Sequence, residues 1–290
     1  MKGLLTLKVL STQKICDIID LAIQFKQGKK VDYSGKRMAS LFYENSTRTQ
    51  FSFQMAMLRL GITPITFNVG ASSVAKGETL YDTVRTFEAL GVDGVVIRHS
   101  QNEYYRDLEN IQIPIFNGGD GTSNHPTQTL LDLMTIYEEF GRFDGLKVCI
   151  VGDIVHSRVA HGNAEIMKRL GMEVYICAPS QFVDDTGTLV SLDDAVKFAD
   201  VINLLRVQFE RHHDGTEVAA NEYLKNWGMT MERVKNMNKG AIIIHPAPIN
   251  RGIEIADDVA ECNVSRIYKQ MENGVYVRMA VIYMVMEGLL

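Results

Sequence analysis

Apolar positions along the chain alternate between two patterns. Continuous apolar runs occur at "RMASLFY" (37–43), "GVVIRH" (94–99), "LKVCIVGD" (146–153), "MEVYICAP" (172–179), "DVINLLRV" (200–207) and "GAIIIHPAP" (240–248). Short, nearly unbroken runs of this kind predict strands covered on both faces. Between them, apolar residues recur at helical spacing. Phe51, Met55 and Leu58 stand at i, i+4 and i+7, and Phe53, Met57 and Leu60 repeat that spacing. "PTQTLLDLMTIYEEFGR" (126–142) and residues 78–90 also read as helices, with Gly61 and Gly141 where C-caps belong. The segment "GASSVAKG" (70–77) is small and polar, and predicts a flexible loop of the kind used as a lid or interface loop. Strands alternating with helices predict an α/β fold: two doubly wound domains, each a mainly parallel sheet flanked by helices. The domain boundary is expected near the helix at 126–142.

The 290 residues suit two medium α/β domains, and 46% hydrophobic with 22% charged residues is the profile of a globular protein. A net charge of -5 argues against nucleic acid or an anionic membrane as partner, so any anion site must be built locally. No apolar run approaches about 18 residues, so no membrane span is expected, and the N-terminus lacks the features of a signal peptide. Cys16, Cys149, Cys177 and Cys262 are far apart and form no CxxC pair. Neither a zinc site nor a disulfide framework is expected, and a cytoplasmic location fits best.

The chemistry gathers at the ends of the strands, where ligands bind in open parallel sheets. After "SLFYE" comes Ser46-Thr47-Arg48-Thr49, preceded by Asn45; after "VVI" comes Arg98-His99; after "PIFNGGDG" comes Thr122 to Gln128, with His125 and Thr127. In the second half, Asp153 and Arg158 follow "VCIVG", Arg206 and Gln208 follow "VINLL", and His245-Pro246-Ala247-Pro248 follows "AIII". Arg48, Arg98, Arg158 and Arg206 in one cleft would repel one another unless an anion were bound, and guanidinium forks match phosphate and carboxylate. Each residue also has a plainer reading. Ser46 or Thr47 could simply cap a helix, Arg98 could end a strand in an ion pair, His125 could be a satisfied structural histidine, and Lys76 could be an exposed linker lysine. The β-α-β unit at 146–179 invites a dinucleotide, but Gly152-Asp153-Ile154-Val155-His156-Ser157-Arg158 lacks the second and third glycines of GxGxxG. No organic cofactor or metal is expected.

Taken together, "FYENSTRT", "SSVAKGETLYDT", "VVIRHS", "GDGTSNHPTQTLLDL", "GDIVHSRVAHGN", "LLRVQFERH" and "HPAPINRGIEI" resemble the catalytic chain of the aspartate carbamoyltransferase family, from about residue 37 to the C-terminus. STRT and HPTQ belong to carbamoyltransferases at large, while "RVQ" at 206–208 and "HPAP" at 245–248 favour aspartate over ornithine as acceptor. The resemblance implies transfer of the carbamoyl group of carbamoyl phosphate to L-aspartate, in de novo pyrimidine biosynthesis. It implies a carbamoyl phosphate-binding domain at 1–128 plus a C-terminal helix at about 275–290, an aspartate-binding domain at 129–274, and an active site in the cleft between them. Ser46, Thr47, Arg48 and Thr49 would hold the phosphate; Arg98 would bridge phosphate and carbonyl oxygen; His125 with Thr49 and Arg98 would polarise that oxygen. Gln128 would orient the carbamoyl NH2. Arg158 and Arg206, with Gln208, would grip the aspartate carboxylates. The carbonyls of Ala247 and Pro248 would position the two nitrogens. Ser72 (chosen over Ser73) and Lys76 would enter from a neighbouring subunit of a homotrimer, which could carry regulatory chains or other pyrimidine-pathway enzymes. Two departures are visible: Gln50 stands where the family commonly has arginine, and Ala247 where it commonly has leucine.

Overall fold

In the computed structural model, which describes residues 2–207 and 220–290, the chain divides into two units: Met1–Met134 with Met271–Leu290, and Thr135–Gln270.

The first unit begins with β1 (Gly3–Leu4), α1 (Thr12–Lys26), β2 (Arg37–Phe42), α2 (Thr47–Arg59) and β3 (Thr63–Phe67). It continues through two short 3-10 turns, Val69–Ala71 and Ser73–Lys76, into α3 (Leu80–Ala89), β4 (Gly94–His99) and β5 (Ile115–Asp120), and reaches α4 (Pro126–Phe140). The segment at 70–77 is therefore wound rather than loose: Ser72 Oγ accepts from Val74 N–H, and Gly77 closes the turn at φ 92°. The five strands are parallel, in the order β1-β5-β4-β2-β3. From β2 the chain winds outward to β3, then crosses back to β4 and on to β5, so the winding reverses between β2 and β4.

The second unit contains β6 (Lys147–Val151), α5 (Arg158–Arg169), β7 (Glu173–Cys177), β8 (Thr188–Leu189), α6 (Leu192–Phe198) and β9 (Val201–Leu204). After the undescribed residues come α7 (Ala220–Trp227), α8 (Met231–Lys235), β10 (Ile242–Ile244) and the start of α9 (Ile267–Met286). Its parallel sheet runs β10-β9-β6-β7-β8, and here the winding reverses between β6 and β9.

β4 fills its whole apolar run, 94–99, whereas β6, β7, β9 and β10 are shorter than the runs that predict them, because the polar ends leave the ladder. Gly152 turns away at φ 134° and Ala247 at φ 53°. The final helix begins at Ile267, not near 275. Of the two stripes on α2, Phe53, Met57 and Leu60 are fully buried, and Gly61 caps the C-terminal end at φ 77°. Phe51, Met55 and Leu58 are 56%, 44% and 56% exposed.

Candidate active site

In the first unit, the adjacent strands β2, β4 and β5 carry the predicted residues at their carboxyl ends. Beyond β2, Ser46 stands at the N-cap of α2 in extended conformation (φ -156°), yet its side chain makes no capping hydrogen bond. Helix starts leave N–H groups unsatisfied and the positive end of the dipole exposed. Here a hydroxyl of a favoured capping type is present but is not spent on the cap. Thr47 and Arg48 are exposed on the first turn, and Thr49 is buried. Thr49 Oγ1 lies 3.4 Å from Nε2 of His125, which is also buried, so residues 76 apart in sequence meet here.

Arg98 is the last residue but one of β4, opposite Phe42 in the β2 register. Its Nε lies 3.3 Å from Glu44 Oε2, and Nη1 donates to the Gly118 carbonyl at 3.2 Å. Its neighbour His99 accepts from Gln101 N–H at Nδ1, and burial lowers its pKa. His125 is held by a clasp that the sequence did not single out. The fully buried Asp120 accepts from Asn117 Nδ2, Glu103 N–H and Asn124 Nδ2, and its own N–H donates to the Asn124 carbonyl. The signal available for it was a lone acid inside the glycine run "GGDG". One turn into α4, Gln128 Nε2 donates to the fully buried Asp132 at 2.8 Å, which orients the amide and leaves Oε1 as the acceptor.

Ser72 and Lys76 do not join this group through any contact described here. Ser72 Oγ donates to the Val69 carbonyl at 2.7 Å, while Ser73 and Lys76 are exposed.

In the second unit, β6, β9 and β10 are likewise neighbours. Arg158 is the first residue of α5, whose N-cap Ser157 accepts from Ala160 N–H. The buried Asp153 lies 2.8 Å from His156 Nδ1 and braces the turn between β6 and α5. Arg206 follows β9, where Leu205 N–H donates to the Val151 carbonyl and keeps the β9 and β6 ends together. Both arginines are half-buried. Gln208 lies outside the described residues. After β10, His245 Nδ1 accepts from Ala247 N–H at 2.8 Å, and the Ala247–Pro248 peptide is cis. A positive φ in a non-glycine residue costs about 1–3 kcal/mol and is retained where surrounding structure enforces it.

Arg48 follows β2 and Arg98 lies at the carboxyl end of β4, the two strands that flank the first reversal of winding, and Arg158 and Arg206 follow the two that flank the second. Those switch points are the ligand-binding positions of doubly wound sheets. Burial holds the two strand cysteines as thiols, raising the pKa values of Cys149 and Cys177, the latter to about 12. Among the described residues no cluster of three or more His, Cys, Asp or Glu could hold a metal ion, and no helix is long and apolar enough to cross a membrane.

Residues 2–138 match the family described as aspartate/ornithine carbamoyltransferase, carbamoyl-P binding domain, and residues 144–285 match its Asp/Orn binding domain. Among solved structures, the catalytic subunit of M. jannaschii aspartate transcarbamoylase is 36% identical, with 99% of each chain covered and a TM-score of 0.87. Aspartate transcarbamoylase from Trypanosoma cruzi in complex with carbamoyl phosphate is 30% identical over 97% of this chain and 95% of that one, with a TM-score of 0.88. The same enzyme in complex with carbamoyl aspartate and phosphate is 30% identical over 97% and 94%, with a TM-score of 0.84. With both of its halves matched in order, the chain belongs to the aspartate/ornithine carbamoyltransferase family and, within it, to the aspartate carbamoyltransferases.

Proposed function

We propose that the residues at the two switch points serve the transfer of the carbamoyl group of carbamoyl phosphate to the amino group of L-aspartate, giving N-carbamoyl-L-aspartate and phosphate for de novo pyrimidine biosynthesis. The observation that carries this reading is the start of α2, where Ser46 leaves its hydroxyl out of the cap and Thr49 reaches His125. Ser46, Thr47, Arg48 and Thr49 take the phosphate, with helix N–H groups behind them. Arg98, turning from Glu44 to the ligand, spans phosphate and carbonyl oxygen. As the aspartate amine attacks the carbamoyl carbon, negative charge grows on the carbonyl oxygen; Thr49, Arg98 and His125 stabilise it. Gln128 Oε1 accepts from the carbamoyl NH2, a role its Asp132 bond suits. Arg158, Arg206 and Gln208 take the two aspartate carboxylates, and the carbonyls of Ala247 and Pro248 position the nitrogens. Holding two anionic reactants side by side supplies much of the rate.

Purified protein given radiolabelled carbamoyl phosphate and aspartate should form acid-stable carbamoyl-aspartate. No product, or a preference for ornithine or putrescine as competing acceptor, overturns the reading.

The assembly completes it. The exposed Phe51, Met55 and Leu58 stripe on α2 supports a homotrimer in which Ser72 and Lys76 serve a neighbour's site. An inactive Arg48→Ala chain mixed with an inactive Lys76→Ala chain, after reversible dissociation, should regain activity. Light scattering behind size exclusion reads the trimer mass, which Phe51→Glu should reduce, and any regulatory chain or pathway enzyme travelling with it. A cytoplasmic location belongs to the same reading, supported by four cysteines that are all free.

A further inference from the structure

Ala247 and Arg206 carry much of the acceptor chemistry, and one buried acid links the segments they stand on. We propose that Glu254 is the positioning residue of the acceptor half: it ties the 245–250 loop to the end of β9 and so sets where the Ala247 carbonyl and Arg206 stand. The proposal rests on the carbamoyl-transfer reading above.

Glu254 is 1% exposed, and its Oε1 receives two donors. One is Asn250 N–H at 2.5 Å, and the other is Nε2 of the equally buried His245 at 3.3 Å. The imidazole tautomer follows from its other partner. Ala247 N–H can only donate, so Nδ1 accepts, and the ring proton sits on Nε2 facing Glu254. The carboxylate thus acts through the imidazole on the backbone of Ala247, the residue held at φ 53°. In the other direction, Asn250 Nδ2 donates to the Val207 carbonyl at 3.1 Å, one residue beyond Arg206. A single oxygen of Glu254 therefore joins the carboxyl ends of β10 and β9. His245 N–H also donates to Gln270 Oε1 at 2.8 Å, which fixes the start of the loop independently.

Stability alone does not account for an acid here. Glu254 Oε2 is buried and meets no donor, and the buried Tyr223 hydroxyl meets no partner either. The charge on Glu254 helps burial raise the Tyr223 pKa. Buried polar atoms without partners are costly, and well-packed apolar residues would remove that cost. Retention of such a group where two loops must keep register is the pattern of a functional site.

The test is steady-state kinetics on the full chain with Glu254→Ala, Glu254→Gln and Asn250→Ala, folded fraction being read by near-UV circular dichroism. Carbamoyl phosphate affinity is measured without aspartate by equilibrium binding. Misplacing reacting groups by about 1 Å costs up to about a hundredfold. Glu254→Ala should therefore raise the aspartate KM and lower kcat by about 10- to 100-fold per folded chain, leaving carbamoyl phosphate affinity unchanged. Glu254→Gln keeps an Oε1 acceptor and should recover most of the loss; Asn250→Ala should raise the aspartate KM more than it lowers kcat. A purely structural role predicts fewer folded chains with unaltered aspartate KM, and that result overturns the proposal. Should Glu254→Ala fail to fold, an unmoved aspartate KM in Asn250→Ala overturns it equally. An inactive wild type would overturn the carbamoyl-transfer reading itself, an outcome distinct from an active wild type with unmoved variants.

Discussion

Replacing Arg278 by methionine should separate stability from ligand affinity. Arg278 lies on α9 in the first unit and is 2% exposed. Nη1 donates to Ser52 Oγ at 3.1 Å and to the Gly274 carbonyl at 2.9 Å, and the guanidinium sits 5.0 Å from the centre of the Phe53 ring. Its Nε–H meets no acceptor, and no carboxylate pairs with it among the described residues. Gly274 makes room for it, since a Cβ there would stand 2.6 Å from Nη1. Burial lowers the Arg278 pKa from 12.5 to about 9, so the cation persists at neutral pH, and the drop corresponds to about 5 kcal/mol against the charged form. Two charged hydrogen bonds at about 2 kcal/mol each and a cation–π contact of about 1 kcal/mol offset it almost completely. Methionine loses both sides of this balance, so Arg278→Met should lie within about 1 kcal/mol of wild type or above it. Ser52→Ala instead removes one of the two acceptors of the buried guanidinium and should cost about 1–3 kcal/mol.

Function should respond differently. Ser52 is five residues past Thr47, an axial rise of about 7.5 Å, and an anion bound ahead of the first turn adds a few more, so roughly 10 Å separates it from the buried charge. At an effective dielectric near 20 that charge favours the anion by about 1.7 kcal/mol, or somewhat more than tenfold in Kd. Urea titration would give the stability, and calorimetric titration with inorganic phosphate and with carbamoyl phosphate the affinity, with Arg278→Lys as the charge-retaining control. A destabilisation above about 3 kcal/mol in Arg278→Met would refute the balance. Unchanged phosphate affinity would refute the electrostatic argument.

Thr49→Val removes one hydroxyl at the carbonyl-oxygen site while keeping the packing; kcat should fall by about 10²–10³, and Thr49→Ser should restore most of it in the same assay. Gly121→Ala, at φ 42° on the loop before His125, would drive a Cβ into Asn102 Oδ1 and to 2.8 Å from the Ser100 carbonyl. It should lower both kcat and the melting temperature. In the second unit, hydrogen bonds from Arg266, joined by Lys269, bring the Glu139 pKa from 4.5 to about 2. Because the folded value lies below the unfolded one, the stabilisation is present above about pH 4.5 and is lost as pH falls towards 2. Solvent screening holds it to about 1 kcal/mol, and urea midpoints of wild type and Glu139→Gln should converge across that window.

The sequence by itself determined the α/β class, six of the strands and the residue types at their ends. A buried parallel strand is mostly apolar, so a charged residue at the end of such a run marks the carboxyl edge of the sheet. Arg98, Arg158 and Arg206 were legible for that reason, and Gly61 and Gly141 because left-handed caps demand glycine. β1 and β8, of two residues each, have no periodicity to read. Asp120, Asp132, Glu254 and Arg278 were missed because a buried charged residue has no local pattern; its partners lie on other elements. Sequence spacing also treats the two stripes of α2 alike, and only packing decides that Phe53 is buried while Phe51 faces outward. The order of strands within each sheet is likewise a tertiary matter. Local sequence says that a strand ends in an arginine, but long-range pairing makes β4 the neighbour of β2 and β9 the neighbour of β6, putting the paired arginines at the switch points.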